Sequence, residues 1–147
     1  MSKLLQVSIW ILGAMLAFDA HAGITLVRAA PVTADSQIYG AANVPGSPLS
    51  VDLARRGYLE EEYFISGTAD AYGRNATDQL QVVHAAVPYT TRIVVRRPQA
   101  RSRFSGTVVI EPIHPLLANT LAWSATSEWL IRSGHIYVAI GTGDDPP

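Results

Sequence analysis

The sequence has no cysteine in its 147 residues, and this absence excludes several classes of protein at once. Without cysteine there is no disulfide, no thiolate ligand for a metal, no cysteine nucleophile and no amino-terminal cysteine for lipid attachment. The chain therefore depends on burial of its apolar side chains, which make up 48% of the sequence, for its stability.

The sequence also lacks an excess of charge of either sign. Eleven Lys and Arg residues face twelve Asp and Glu residues, so that the formal net charge is −1 at pH 7. Proteins that bind nucleic acid or anionic membranes carry a basic surplus, and single-stranded nucleic acid also needs aromatic side chains to stack on. We therefore expect neither nucleic acid nor a membrane surface as a partner.

A cluster of five arginines lies near a run of three glutamates, residues 60–62, in the predicted strands. Phe104 is the aromatic residue closest to the end of this cluster, which is too little for a nucleic-acid site. We interpret the arginines as solvated strand faces, with some Glu–Arg pairs that each contribute little stability. The arginines are Arg92, Arg96, Arg97, Arg101 and Arg103.

The first 22 residues have the pattern of an export signal. Lys3 precedes an apolar run at residues 4–18, and a small-x-small cleavage site, Ala-His-Ala, follows. This pattern predicts a signal peptide that is cleaved between Ala22 and Gly23, and a mature chain that is secreted or periplasmic and not attached to a membrane. An uncleaved signal acting as an anchor is the alternative, but the apolar run is shorter than the roughly 20 residues that span a bilayer.

Residues 23–48 are rich in Ala, Pro, Gly and Ser without a sustained period, and we interpret them as an extended lead-in. The organised domain is predicted to cover residues 49–147. It would begin with a short helix at residues 50–56 that ends at Gly57 in the left-handed conformation.

Two strands are predicted next, at residues 61–68 and 90–97. Between them we expect a loop at residues 70–79 and an ambiguous segment at residues 82–87. The second strand alternates in a way that is typical of a half-exposed strand. One of its faces carries Thr91, Ile93 and Val95, and the other carries Arg92, Val94 and Arg96.

The runs at residues 107–110 and 136–140 are apolar without alternation, as expected of strands that are covered on both faces. Between them the spacing predicts a helix at residues 120–133 that ends at Gly134. A strand, a helix and a strand in this order form a β-α-β unit with a parallel pair of strands. The sequence therefore predicts an α/β fold in which two antiparallel-type strands lead into a β-α-β unit of an incomplete sheet.

Four blocks of the sequence resemble, in the same order, a bacterial group of uncharacterised α/β-hydrolase-domain proteins. The resemblance implies that the chain is the N-terminal portion of an eight-stranded α/β-hydrolase sheet and that the full-length protein is much longer. The blocks are LARRGYLEEEYFISGTA (residues 53–69), PYTTRIVVRRP (88–98), FSGTVVIE (104–111) and WLIRSGHIYVA (129–139).

In such hydrolases the nucleophile lies after the fifth strand, often in a Gly-x-Ser-x-Gly motif, and the acid and the histidine follow it. The resemblance thus implies a hydrolase of serine esterase type that acts on a small ester-like substrate. The sequence contains four strands of this sheet and no Gly-x-Ser-x-Gly motif. We therefore expect the catalytic residues to lie beyond residue 147 and this chain alone to be inactive.

The resemblance also implies one backbone N–H of the oxyanion hole in the segment at residues 111–115. Proline has no N–H, so Ile113 and His114 are the candidate donors, unless the two prolines only stiffen the end of a strand. Glu111 and His114 supply two metal ligands where three or more are usual, and residues 141–143 lack the rest of a dinucleotide fingerprint. We expect no metal and no cofactor.

A non-enzymatic exported module is the alternative function, in which residues 23–147 form a β-rich domain that binds a partner. Two strands that are apolar on both faces argue against it, because they require covering layers on both sides of the sheet. A degraded gene or an incomplete sequence, with an inactive product, is a third possibility.

Overall fold

The computed structural model describes residues 22–43, 46–113 and 121–142. The strands of this part of the chain lie in one mixed sheet with the order β1-β2-β3-β5-β4. The elements in chain order are β1 (Ala22–Ala29), β2 (Tyr58–Arg74), β3 (Leu80–Pro98), a 3-10 turn (Arg101–Arg103), β4 (Val108–Pro112), α1 (Leu121–Ser133) and β5 (Ile136–Ile140).

The predicted β-α-β unit is confirmed. β4 and β5 pair in parallel from Val108 opposite Ile136 onwards, and α1 connects them in the chain. The helix ends at the predicted residue, because Gly134 has a φ of +71° that a residue with a side chain rarely adopts. β5 pairs with β3 in the antiparallel sense, so it lies between β3 and β4.

β2 and β3 form a hairpin that is much longer than the two predicted strands. Their pairing extends from Tyr58 opposite Pro98 to Arg74 opposite Leu80, so the prediction of a loop at residues 70–79 is wrong over its first half. Beyond the part of the hairpin that β1 and β5 flank, both faces of this ribbon are largely solvated. Its strands therefore need no apolar alternation, and the sequence gives no strand signal there.

The segment before β2 differs from the sequence-based expectation in two places. Within the predicted lead-in, β1 pairs with β2 in the antiparallel sense. The helix predicted at residues 50–56 is wrong, because turns form there and the Arg56 and Tyr58 N–H groups both donate to the Leu53 carbonyl. Gly57 does take the expected left-handed conformation, with φ +68°, and β2 starts directly after it, which leaves no room for further helical turns.

The core lies between α1 and one face of the sheet, and residues of the lead-in complete it. On the opposite face, Val108 and Ile110 of β4 are 49% and 65% exposed. Among the described residues, one face of the sheet is thus covered and the other is open. The buried apolar cluster comprises Ala42, Leu53, Tyr58, Val94, Ile113, Trp123, Leu130, Ile131, Tyr137 and Ala139.

Tyr58 joins the start of β2 to the end of α1. Its buried hydroxyl lies 3.0 Å from the His135 carbonyl oxygen and 3.3 Å from that of Leu130, so it links the start of β2 to the end of α1 and to the residue before β5. Burial raises the pKa of Tyr58 above its ordinary value, and the charge of Arg103 opposes this shift.

The described residues include no helix with the length and apolar character needed to cross a membrane.

Candidate functional site

A side chain near the carboxyl end of β4 forms hydrogen bonds with the first residues of α1. Glu111 accepts hydrogen bonds from the Ala122 N–H at 2.8 Å, from the Trp123 N–H at 3.2 Å and from the Tyr137 hydroxyl. The first N–H groups of a helix have no partner within the helix and carry partial positive charge, so they favour a carboxylate. Glu111 therefore caps α1 from a neighbouring strand.

Replacing Glu111 with glutamine is expected to lower the free energy of unfolding by about 1–2 kcal/mol, because the uncharged amide replaces a carboxylate cap. Urea denaturation followed by circular dichroism measures this loss. Glu128→Gln is the matched control, since Glu128 lies on α1, the helix that Glu111 caps, but forms an exposed pair with Arg56. A loss for Glu128→Gln that equals the loss for Glu111→Gln would contradict the capping role.

One of the two candidate oxyanion donors already forms a backbone hydrogen bond within the sheet. The Ile113 N–H donates to the Ile140 carbonyl at 2.7 Å, which extends the pairing of β4 with β5. This N–H is therefore not free to bind an oxyanion in this arrangement. His114, the other candidate, lies outside the described residues, and the oxyanion hypothesis now depends on it.

The pairing of glutamates with arginines across β2 and β3 is confirmed, but the prediction of a solvated face is wrong for Arg96. Its side chain is 0% exposed, and its Nε lies 2.8 Å from Glu60 Oε1. The guanidinium carbon lies 4.4 Å from the centroid of the Trp123 ring and 5.3 Å from that of Tyr137. The reason is topological: α1 packs on the face of β3 that carries Arg96, so this charge is buried and paired.

Arg97, the next residue of β3, points to the opposite face of the sheet. It fits the predicted solvated strand face better than Arg96 does. Its Nε and Nη2 lie 2.7 and 3.0 Å from the two carboxylate oxygens of Glu61, and its side chain is 35% exposed. The hydrogen bonds to Glu61 raise the pKa of Arg97, whereas desolvation lowers it. The two neighbouring arginines thus have different environments, which alternation along a strand allows.

A serine and a histidine that the sequence did not bring together lie in contact at the amino ends of β4 and β5. Ser105 Oγ is 2.6 Å from His135 Nδ1, and it also accepts the Thr107 N–H at 3.2 Å. The His135 ring packs edge-on against Trp129, with 4.8 Å between the ring centroids.

This pair lacks the third group of a catalytic triad. Within the described part of the chain, no carboxylate bonds to His135, so the ring lacks the anionic partner that makes a histidine a general base for a serine. The contacts instead fix the turn before β4 to the start of β5. Since Ser105 and His135 are 30 residues apart, only the sheet topology could have revealed their contact.

The other predicted site residues are scattered. His84 lies on the exposed part of the β2–β3 hairpin, and Ala22 and Gly23 of the predicted cleavage site form the start of β1. Residues 1–21 and 143–147 lie outside the described residues. Across the ranges that the structure describes, no group of three or more His, Asp or Glu side chains has a geometry that could hold a metal ion.

Comparison with known proteins identifies one family. A family model described as an alpha/beta hydrolase domain matches residues 28–144, which is most of the chain and includes β2 to β5 and α1. No curated protein matches the chain, and no solved structure matches it.

Proposed function

The chain belongs to the alpha/beta hydrolase domain family, and we propose that it is part of an exported hydrolase of serine esterase type. The proposed substrate is a small ester-like molecule, and the proposed location is the periplasm or the outside of a bacterium, reached through the signal pattern of the first 22 residues. No nucleic acid or membrane takes part, because the net charge is −1 and the signal would be removed. A fold alone does not fix function, so the reaction class needs its own test.

The observation that carries the proposal is the sheet itself. An antiparallel pair, β2 and β3, leads into the parallel pair of β5 and β4, and in open α/β sheets ligands bind outside the carboxyl ends of the parallel strands. Glu111 of β4 and Gly141 after β5 mark this edge. It is the place where a hydrolase would hold its substrate.

The free edge of β4 supports a nucleophile outside the sequence given. Among the described residues β4 pairs only with β5, and its side chains Val108 and Ile110 are exposed although they are apolar. A further parallel strand would pair with this edge and would place a strand-to-helix turn beside the carboxyl end of β4, and a helix packed on the open face would bury the two side chains. The absence of a Gly-x-Ser-x-Gly motif from the sequence fits this arrangement.

Reading the gene beyond residue 147 tests the proposal directly. We expect an in-frame continuation with a Gly-x-Ser-x-Gly motif, and ester hydrolysis by the longer protein that is lost when the motif serine is changed to alanine. A stop codon directly after residue 147, together with a soluble monomer on expression, would contradict the proposal and favour the exported binding module.

The 147-residue chain alone is expected to hydrolyse p-nitrophenyl acetate no faster than background, because its Ser105–His135 contact has no orienting carboxylate among the described residues. The absorbance of released p-nitrophenolate measures this rate. Ser105→Ala is the matched control and is expected to give the same background rate. Turnover by the unaltered chain that Ser105→Ala abolishes would show that the nucleophile lies within this sequence.

A further inference from the structure

A row of three side chains crosses β1, β2 and β3 on the face that α1 covers further along. Arg28 lies opposite Phe64, and Phe64 lies opposite Arg92. The two guanidinium carbons are 5.1 and 5.4 Å from the centroid of the Phe64 ring. Tyr39 of the lead-in adds a second aromatic ring, whose centroid is 5.0 Å from the Arg92 guanidinium.

Positive charge exceeds negative charge in this row. Arg92 Nη1 lies 3.2 Å from Glu62 Oε1, but this contact lacks hydrogen-bond geometry. Arg28 has no carboxylate within ion-pair distance among the described residues, and it is exposed. The row thus carries two guanidinium groups and one nearby carboxylate, and the Arg92 side chain is still 22% exposed beside that carboxylate.

The row lies at the end of the sheet where the carboxyl ends of the parallel strands are. The Gly141 N–H, directly after β5, donates to the Arg92 carbonyl at 2.9 Å, and the Thr91 hydroxyl donates to the Gly141 carbonyl at 2.7 Å. Gly141 brings no side chain into the row beside Arg92. Because ligands of α/β sheets bind outside the carboxyl ends of the parallel strands, Arg92 borders the region proposed above for the substrate, and Arg28 lies two strands further from it.

We propose that Arg28 and Arg92 bind the carboxylate of a flat organic acid, whose body contacts the exposed parts of Tyr39 and Phe64. A guanidinium that stacks on a ring keeps its N–H groups in the plane of its edge, where they match the two oxygens of a carboxylate. The aromatic side chains supply apolar surface for the body of the ligand. On the basis of the proposed function, this site selects ester substrates that carry a carboxylate.

Isothermal titration of the 147-residue protein with benzoate and with benzamide tests the binding site. Benzoate has the flat body and the charge, whereas benzamide has the same shape without the charge, so we expect benzoate to bind at least about 10-fold more tightly. Added salt is expected to weaken the binding of benzoate more than that of benzamide. Equal affinities for the two compounds would overturn the proposal.

Arg28→Gln is the decisive variant, because Arg28 is exposed and its removal leaves no buried charge behind. We expect it to weaken benzoate binding about 5- to 10-fold and to leave benzamide binding unchanged. Arg101→Gln is the matched control, since Arg101 is an exposed arginine without a carboxylate at ion-pair distance in the described ranges. An equal loss in the two variants would show a general charge effect and would overturn the site.

Arg92→Lys separates charge from shape. The lysine keeps a positive charge near Glu62, whose side chain is only 4% exposed, but it loses the planar fork. We expect weaker benzoate binding with an unchanged circular dichroism spectrum. Inorganic phosphate is the competitor that lacks a flat body, and displacement of benzoate by phosphate at equal concentration would overturn the assignment to flat carboxylates.

Kinetic measurements on the longer protein distinguish a failure of this inference from a failure of the proposed function. With 4-carboxyphenyl acetate and phenyl acetate as a pair of esters, Arg28→Gln is expected to lower kcat/KM at least about 5-fold for the charged ester and to leave the neutral one unchanged. Hydrolysis of both esters without any preference would overturn the substrate class while the esterase function stands. Absence of hydrolysis together with Arg28-dependent benzoate binding would overturn the function while the binding site stands.

Discussion

Replacing Arg96 with methionine is expected to lower the free energy of unfolding by about 3–5 kcal/mol, because it leaves the paired carboxylate of Glu60 without its cation in a poorly solvated place. The Arg96 side chain is 0% exposed and that of Glu60 is 13% exposed. The substitution also removes the hydrogen bond from Nη2 to the Gly40 carbonyl at 2.6 Å. Methionine fills much of the space but donates no hydrogen bond, so packing alone does not compensate.

Urea denaturation of the unaltered chain and of two variants measures this effect. Arg97→Met is the matched control, because Arg97 is the neighbouring residue on the same strand and also pairs with a glutamate, but its side chain is 35% exposed. We expect a loss of about 1 kcal/mol or less for this control. Losses that agree within 1 kcal/mol between the two variants would show that the burial of Arg96 has no energetic consequence.

The elements that the sequence predicted well are those whose signal is local. The helix was predicted at residues 120–133 and is observed as Leu121–Ser133, and its end depends on the conformational freedom of Gly134. The apolar runs that became β4 and β5 also needed no knowledge of the rest of the chain. Their parallel pairing follows from the length of the connection, since parallel strands need a crossover.

The parts that could not be predicted depend on which surface another element covers. The alternation of β3 shows that Arg92, Val94 and Arg96 share a face, but not that α1 packs on it. A charged face is ordinarily solvated, so the sequence favoured exposure for Arg96, whereas Glu60 opposite it makes burial possible. The length of the hairpin was missed for a similar reason, because a ribbon with two solvated faces has no apolar period.

The candidate site shows the same division. The sequence offers Glu111 as a possible metal ligand, but its role as a cap requires the helix to begin beside the end of β4, which only the three-dimensional structure shows. Ile113 is a candidate donor in the sequence because it has an N–H between two prolines, and the pairing with Ile140 that engages this N–H depends on the sheet. Nothing in the sequence distinguishes Arg28, since it lies within the predicted lead-in.

Replacing Gly134 with alanine is expected to lower the free energy of unfolding by about 3 kcal/mol, for two reasons that add. Gly134 has a φ of +71°, which is unfavourable for any residue with a Cβ, and an added Cβ would lie 2.1 Å from the Arg103 carbonyl oxygen. The close contact is with backbone, so no side-chain rotation relieves it. The Gly134 carbonyl also accepts the Ser105 N–H at 2.9 Å, which holds the two segments together.

Gly106→Ala separates the two reasons, because Gly106 also has a positive φ, +89°, but an added Cβ there would meet no atom within 4 Å. Its expected loss is therefore the conformational part alone, about 1 kcal/mol. Thermal or urea denaturation of both variants gives the comparison. A loss for Gly134→Ala no larger than that for Gly106→Ala would show that the end of α1 moves away from the Arg103 segment at little cost, and the close approach of helix and turn would then not contribute to stability.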